Sequence, residues 1–247
     1  MRGYDEKSYG DAFADVYDDW YTGISDTAGT VSRLCELIGA GPALELGVGT
    51  GRIAIPLAIA SGVEIVGVDA SSRMLDRLSA KPDGDRVTTV LGDMSGPGIP
   101  HGSFSIVYVT YNTFFNLTSD ALQRLCFVAV ASRLGTGGRF VIEAFVPRDP
   151  PREGPAVELR SMAVDRVVLS ASIHDPVAQR AEGHLIELTE DAGVRLHPWS
   201  IRYSTPNELD AMAADAGLTL EERTAGWHGE PFDESSAHHV SIYRHAV

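Results

Sequence analysis

Three things are scarce in this chain, and each scarcity excludes something. Cysteine occurs only twice in 247 residues. Cys35 and Cys126 are far apart and flanked by Leu34, Leu37, Leu125 and Phe127, a setting for buried, reduced thiols rather than a bridge or a metal pair. A reducing cytoplasm suits them. Long apolar runs are missing, since no segment approaches the ~20 residues that cross a bilayer. The start, MRGYDEKSYGDAF, is too polar and acidic for a secretion signal, so a cytoplasmic protein without a membrane partner is expected. Positive charge is also short: 20 Lys and Arg stand against 34 Asp and Glu, a formal charge of −14. Like charges repel, which argues against a nucleic-acid partner and favours a neutral or cationic small molecule. There is no H-x-x-x-H or C-x-x-C pair and no dense carboxylate cluster, so no metal site is expected.

What is present is ordinary globular material, 44% hydrophobic and 22% charged, sufficient to bury a core without covalent staples. Between about residues 42 and 145, short β-branched runs alternate with longer amphipathic ones, the pattern of an α/β domain around a parallel sheet. Strands are expected at Ala43–Leu46, Glu64–Val68, Arg86–Leu91, Ser103–Thr110 and Arg139–Phe145. Helices are expected at Arg52–Ala60, Ser72–Ser79 and Asp120–Leu134, the last capped by Gly135, Gly137 and Gly138. After Val146, PRDPPREGP packs four prolines into nine residues, which can continue neither a helix nor a central strand. Ala163–Asp175, Gln179–Asp191 and Val194–Thr205 then read as a three-stranded meander. A helix opening at Pro206 and two closing strands, Leu218–Arg223 and His239–Tyr243, complete the chain as an antiparallel pair.

Chemistry concentrates at three strand ends. Ala43-Leu44-Glu45-Leu46-Gly47-Val48-Gly49-Thr50-Gly51 joins the first core strand to its helix, and its glycines permit a tight turn and close approach of a ligand. The second strand ends in Asp69, placed to accept hydrogen bonds from both hydroxyls of a ribose. The third ends in Leu91-Gly92-Asp93-Met94, where Asp93 is placed to take the exocyclic amine of an adenine. Any one of these reads equally as a turn; three in register point to a nucleoside cofactor. A dinucleotide loop, G-x-G-x-x-G, is not matched in either register, because Arg52 stands where a glycine is required.

The acid followed by G-x-G-x-G, here Glu45 with Gly47, Gly49 and Gly51, resembles the first motif of class I S-adenosylmethionine-dependent methyltransferases, and the resemblance runs over residues 43–145. It implies a doubly wound, mostly parallel seven-stranded sheet with an antiparallel last strand. It further implies S-adenosylmethionine as cofactor, with Gly47 and its neighbours at the methionine part, Asp69 at the ribose, Met74 flanking the adenine, and Asp93 and Met94 at the adenine edge. On helical spacing alone, Met74 reads as a core residue. One departure from the family is Ser105 early in the fourth strand, where an acid is common.

The acceptor side is read from aromatics. Tyr9, Phe13, Tyr17 and Tyr21 recur every four residues with Trp20 alongside, one face of a single expected helix, and Asp11, Asp15, Asp18 and Asp19 accompany them as in a polar lid. Tyr-x-x-x-Phe-x-x-x-Tyr resembles the lid helix of methyltransferases that modify amino sugars and related antibiotics, lincosamide N-methyltransferases included. Tyr9 and Tyr17 are therefore expected at the transfer site, and so is Phe115, from the aromatic segment that leaves the fourth strand beside the expected methyl group, with packing beneath the next helix as its competing role. The expected organisation is a lid at 1–40, a cofactor-binding core at 41–146, an antiparallel β insert over the substrate mouth at 147–205, and a closing helix and strands at 206–247. A small-molecule amine is the expected acceptor, and self-association is left open. The alternatives are an oxygen acceptor with a histidine base (His228, His238 or His239, or one of the meander histidines) and a noncatalytic adenosylmethionine-binding protein.

Overall fold

The computed structural model describes residues 1–246 apart from Thr22 and Ile24. Its centre is a seven-stranded sheet. Strands β1 (Ala43–Leu46), β2 (Ile65–Asp69), β3 (Val87–Leu91), β4 (Phe104–Val109) and β5 (Leu134–Phe145) pair in parallel, and β10 (Leu218–Thr224) and β11 (His238–His245) extend it. The spatial order is β10-β11-β5-β4-β1-β2-β3, with β11 antiparallel to both neighbours. All four residues of β1 are buried, as a strand covered on both faces requires. One face packs against α6 (Asp120–Ala131) and α7 (Pro206–Asp215) through Phe127, Phe140, Leu209 and Tyr243. The other is covered by α3 (Thr27–Leu37), α4 (Ala54–Ser61) and α5 (Ser72–Ser79) through Leu34, Leu57 and Leu78. Sequence order reverses between β1 and β4, and the crevice beyond the carboxyl ends of the strands at such a switch point is where α/β sheets bind ligands.

Local chemistry sets the helix starts. Ser71 accepts the Met74 N–H at 3.3 Å to open α5, Ser119 accepts the Leu122 N–H at 3.2 Å to open α6, and Thr205 and Glu208 form a reciprocal capping box on α7, with Pro206 in its first turn.

Three expectations are corrected. The aromatic N-terminal segment is not one helix but two, α1 (Ser8–Phe13) and α2 (Tyr17–Tyr21). Phe13 and the rings around it pack with Val168, Leu185 and Trp199 of the second sheet. Gly135, Gly137 and Gly138 do not cap α6, which ends at Ala131 with Ser132 as its C-cap; they lie inside β5, where pairing with β4 slips between Phe104 and Ile106. A Cβ on Gly138 would stand 2.8 Å from the Phe104 carbonyl oxygen, so glycine is needed for the close approach. The meander has four strands, β6 (Gly154–Met162), β7 (Arg166–Asp175), β8 (Arg180–Thr189) and β9 (Gly193–Arg202). The extra strand is an edge, where Pro155 is tolerated because its missing N–H faces outward.

Candidate active site

The loop after β1 is held by backbone bonds, Val48 N–H to Val68 O at 2.9 Å and Gly51 N–H to Val48 O at 3.0 Å. Gly47 and Gly49 have φ of 68° and 54°. A Cβ at Gly47 would meet Thr113 at 2.3 Å, whereas Gly49 faces open space. The loop is thus a cradle with bare backbone toward the crevice. Gly67 in β2, unremarked in the sequence, lets Val48 seat against the strand, for a Cβ there would lie 2.7 Å from the valine.

Asp69 sits at the tip of β2. Its Oδ2 accepts the Gly49 N–H at 2.8 Å and its Oδ1 the Ser71 N–H at 2.9 Å, which aims the carboxylate and leaves a lone pair on each oxygen. Burial raises its pKa, and the two N–H bonds work against that rise. Beneath the loop, Glu45 is buried with Oε2 accepting the Tyr108 hydroxyl at 3.1 Å. Loss of solvent pushes its pKa up to about 8 despite the opposing field of Arg52.

A cavity partly open to solvent lies over these residues. It brings together Tyr9, Tyr17, Gly47, Gly49, Asp69, Met74, Asp93 and Met94, eight of the residues singled out in the sequence. Met74 is both a lining residue and a contact of Phe13, so its two readings coexist. Asp93 turns its carboxylate onto Ser95, bonding to both the N–H (3.1 Å) and the hydroxyl. Glu45, Gly51 and Phe115 are not in the lining. Gly51 lies under Ile55 and Leu78, with no room for a Cβ, and Phe115 is wholly buried with its edge on Phe145 at 5.0 Å. From the same 3-10 turn, Thr113–Asn116, it is Thr113 and Asn116 that reach the cavity.

The roof is aromatic. Tyr9 stacks on Phe13 at 4.3 Å and Tyr17 on Tyr21 at 4.6 Å, and the break between α1 and α2 folds the two pairs together until Tyr9 O–H donates to Tyr21 Oη at 3.1 Å. On one helix those two rings would be about 18 Å apart. Burial raises the pKa of Tyr9 and Tyr17, so both phenols are neutral at physiological pH. Asp11 and Asp15 face α5 and its start, and Asp18 faces Lys81 and the glycine loop. Asp11 accepts the Ser71 hydroxyl at 2.6 Å, Asp15 bridges Arg73 (2.7 Å) and Arg77 (2.5 Å), and Asp18 takes Lys81 (2.8 Å) and the Thr50 hydroxyl (2.6 Å). Gly10 permits the contact, as its Cβ would fall 2.4 Å from that of Ser71. On the other side Phe13 and Trp20 pack on His197 of β9 at 5.3 and 4.9 Å.

No histidine is among the residues lining the cavity. His228 is exposed and bonds Asp26 at 2.6 Å beside the start of α3. His239 is buried on β11 against Ser241, its pKa pushed down to about 4 by desolvation and the charge of Arg223, and His197 holds the Ala12 carbonyl at 2.7 Å.

Beyond β4, Tyr111 and Asn112 are consecutive non-glycine residues with φ of 51° and 66°, a conformation costing about 1–3 kcal/mol at each. Strand β5 holds it in place. Glu143 accepts the Tyr111 N–H on its carboxylate at 2.7 Å and the Asn112 N–H on its carbonyl at 3.1 Å, and the Asn112 side chain accepts the Phe145 N–H at 2.6 Å.

Residues 43–138 match a family described as a methyltransferase domain. Among solved structures, the CcbJ methyltransferase from Streptomyces caelestis is 41% identical over 99% of this chain and 100% of that one, with a TM-score of 0.88. The sugar N-methyltransferase KedS8 from Streptoalloteichus sp ATCC 53650 is 22% identical over 100% and 99%, TM-score 0.68. CalS10, an amino pentose methyltransferase from Micromonospora echinaspora involved in calicheamicin biosynthesis and solved with its cofactor bound, is 21% identical over 94% and 97%, TM-score 0.69. Comparison with curated protein sequences gives no match.

Proposed function

The chain belongs to the S-adenosylmethionine-dependent methyltransferases, and from that premise we propose that it methylates the amine nitrogen of a small molecule in the tailoring of an antibiotic or amino sugar. The supporting observation is the make-up of the cavity: two neutral phenols, Tyr9 and Tyr17, stand over the Gly49 cradle and the Asp69 carboxylate, with no histidine beside them. The cradle suits the cofactor, because a Cβ at Gly47 would collide with Thr113 and Gly49 presents bare backbone. Asp69 would hold the ribose hydroxyls, Met74, Asp93 and Met94 the adenine, and the Gly47 and Gly49 backbone the methionine end. When bound, S-adenosylmethionine supplies an electrophilic methyl group on a sulfonium.

An amine needs no strong base once it is neutral: its lone pair would take the methyl group as the S–C bond breaks and S-adenosylhomocysteine leaves, and the proton would then pass to water. Tyr9 and Tyr17 orient that lone pair, and the aromatic roof excludes water while they do so. As phenols with raised pKa they are poor proton acceptors, so their work is positioning. The 147–205 sheet, resting on the roof through His197, closes the substrate mouth.

The test is a mass-spectrometric screen for methyl gain across amines and phenols, followed by a pH profile on the acceptor it finds. The rate should climb with pH as the acceptor loses its proton, and His228→Ala should keep it. Tyr9→Phe and Tyr17→Phe should lower kcat with an unaltered melting temperature. Methyl gain on phenols alone, with turnover abolished in His228→Ala while both ligands still bind, would move the assignment to oxygen.

A further inference from the structure

Outward of the cofactor cavity lies a second one that shares Tyr17 with it and is lined by Tyr21, Thr27, Arg52, Lys81 and Asp18. Its charges are not equivalent. Lys81 is engaged by Asp18 and by the Thr50 carbonyl at 2.8 Å each. Among the described residues Arg52 bonds hydroxyls, those of Ser25, Tyr17 and, at 3.5 Å, Thr27. Its guanidinium stands over the Tyr111 ring at 5.5 Å, and Tyr111 in turn meets the Tyr21 ring edge-on at 5.8 Å. From the edge strand β6, the positive charge of Arg160 reaches both Tyr21 and Tyr111 and opposes the burial that raises their pKa values. Among the described residues neither Arg52 nor Arg160 has a carboxylate within ion-pairing distance, although acids outnumber bases 34 to 20 in the chain. Arg73, Arg77 and Arg152 nearby are all paired. A guanidinium group without a carboxylate partner, set in a cavity against two tyrosines of which one is fixed on a strained turn, is the arrangement of an oxyanion receptor, and the charge of Arg160 adds to it.

We propose that this vestibule, lined by Arg52 and Tyr21 with Tyr111 packed against both and Arg160 at its rim, binds the part of the acceptor remote from its reacting nitrogen, and that this part carries a carboxylate or another oxyanion. The inference rests on the amine-acceptor reading and narrows it: the acceptor is an amine that also bears an anion, with its planar or apolar body against the two tyrosines. It also reverses, locally, what the net charge implies, since the acidic surface disfavours anions while the mouth selects them. The cofactor carries a carboxylate as well, so the experiment separates the two sources.

The probes are 4-(aminomethyl)benzoate and benzylamine, the same amine with and without a carboxylate, titrated by calorimetry into the full chain saturated with S-adenosylhomocysteine. The carboxylate probe should bind roughly tenfold more tightly, the size of one charge-assisted hydrogen bond. Arg160→Ala and Arg52→Ala should each erase most of that preference, and Arg160→Lys should restore part of it. Arg160 is exposed, so its variants should melt with the parent, and Arg160→Ala should keep full affinity for S-adenosylhomocysteine. Equal or absent binding of the two probes, a preference surviving both alanine variants, or loss of S-adenosylhomocysteine affinity in Arg160→Ala would overturn the proposal. Failure of the nitrogen reading would be seen separately, as methyl gain on phenols only.

Discussion

Glu45 illustrates how one buried side chain couples ligand, charge and stability. Its carboxyl is enclosed on every side: Tyr108 donates to it, Arg52 and Asp69 exert opposite fields on it, and desolvation outweighs both, setting its pKa at about 8. The unfolded chain would return it to the ordinary value near 4.5. Folding therefore takes up a proton between those two values, and the stability this group contributes is complete below about pH 4.5 and is lost as pH rises through 8. Glu45→Gln keeps the shape and cannot ionise. In the cofactor-free chain its melting temperature should gain on that of the parent from pH 5 to 8 and level off above, with about 2–4 °C for each kcal/mol in a chain of this size. Parallel melting curves over that range would mean that Glu45 ionises freely in the fold. At this scale the sequence is readable wherever a residue acts through its own backbone or strand end, as Gly47, Gly49 and Asp69 do. It is silent on Thr113, Asn116 and Tyr111, whose placement depends on a 3-10 turn and on hydrogen bonds from β5, about 30 residues away.

Helices α1 and α2, of 6 and 5 residues, are too short to be stable by themselves; neighbouring elements hold them. Phe13, Trp20 and His197 supply the contact with β9, and the aspartates supply the contact with α5. The periodic aromatic stripe revealed that this segment has a ring-bearing face, but not that it breaks after Phe13, because the break is imposed by what lies opposite. The acidic companions of the stripe suggested a polar lid, and the structure turns them to Ser71, Arg73, Arg77 and Lys81. These pairs are about half exposed, so each contributes about 0–1 kcal/mol and is weakened by salt. A fastening of that strength suits a roof that must open at each turnover. Asp15→Ala removes two of the pairs. It should speed dissociation of S-adenosylhomocysteine by about threefold to tenfold, the kinetic equivalent of roughly 1 kcal/mol, with little change in melting temperature. Stopped-flow dissociation at the parent rate would show that the roof is held by its aromatic side alone.

On the scale of the whole molecule, the alternation of β-branched and amphipathic runs shows an α/β domain around a parallel sheet, and the motif resemblance adds that the sheet is doubly wound. The placing of β11 between β5 and β10 and the fourth strand of the second sheet were not legible, because both depend on pairing between distant segments. Net charge is legible without any fold, and it acts on association at distances where contacts do not. S-adenosylmethionine, with a sulfonium, an ammonium and a carboxylate, is a monocation at neutral pH; S-adenosylhomocysteine, lacking the sulfonium charge, is neutral overall. A chain of formal charge −14 attracts the first from beyond contact and not the second. Salt shortens that reach to about 10 Å at 0.1 M. The association rate constant of S-adenosylmethionine should therefore fall several-fold as salt is raised, while that of S-adenosylhomocysteine holds nearly level. Any loosening of the roof by salt acts on both ligands alike and cancels in the ratio of their rates. If that ratio stays constant with salt, the acidic surface plays no part in cofactor capture, and discrimination between cofactor and product rests on contacts inside the cavity.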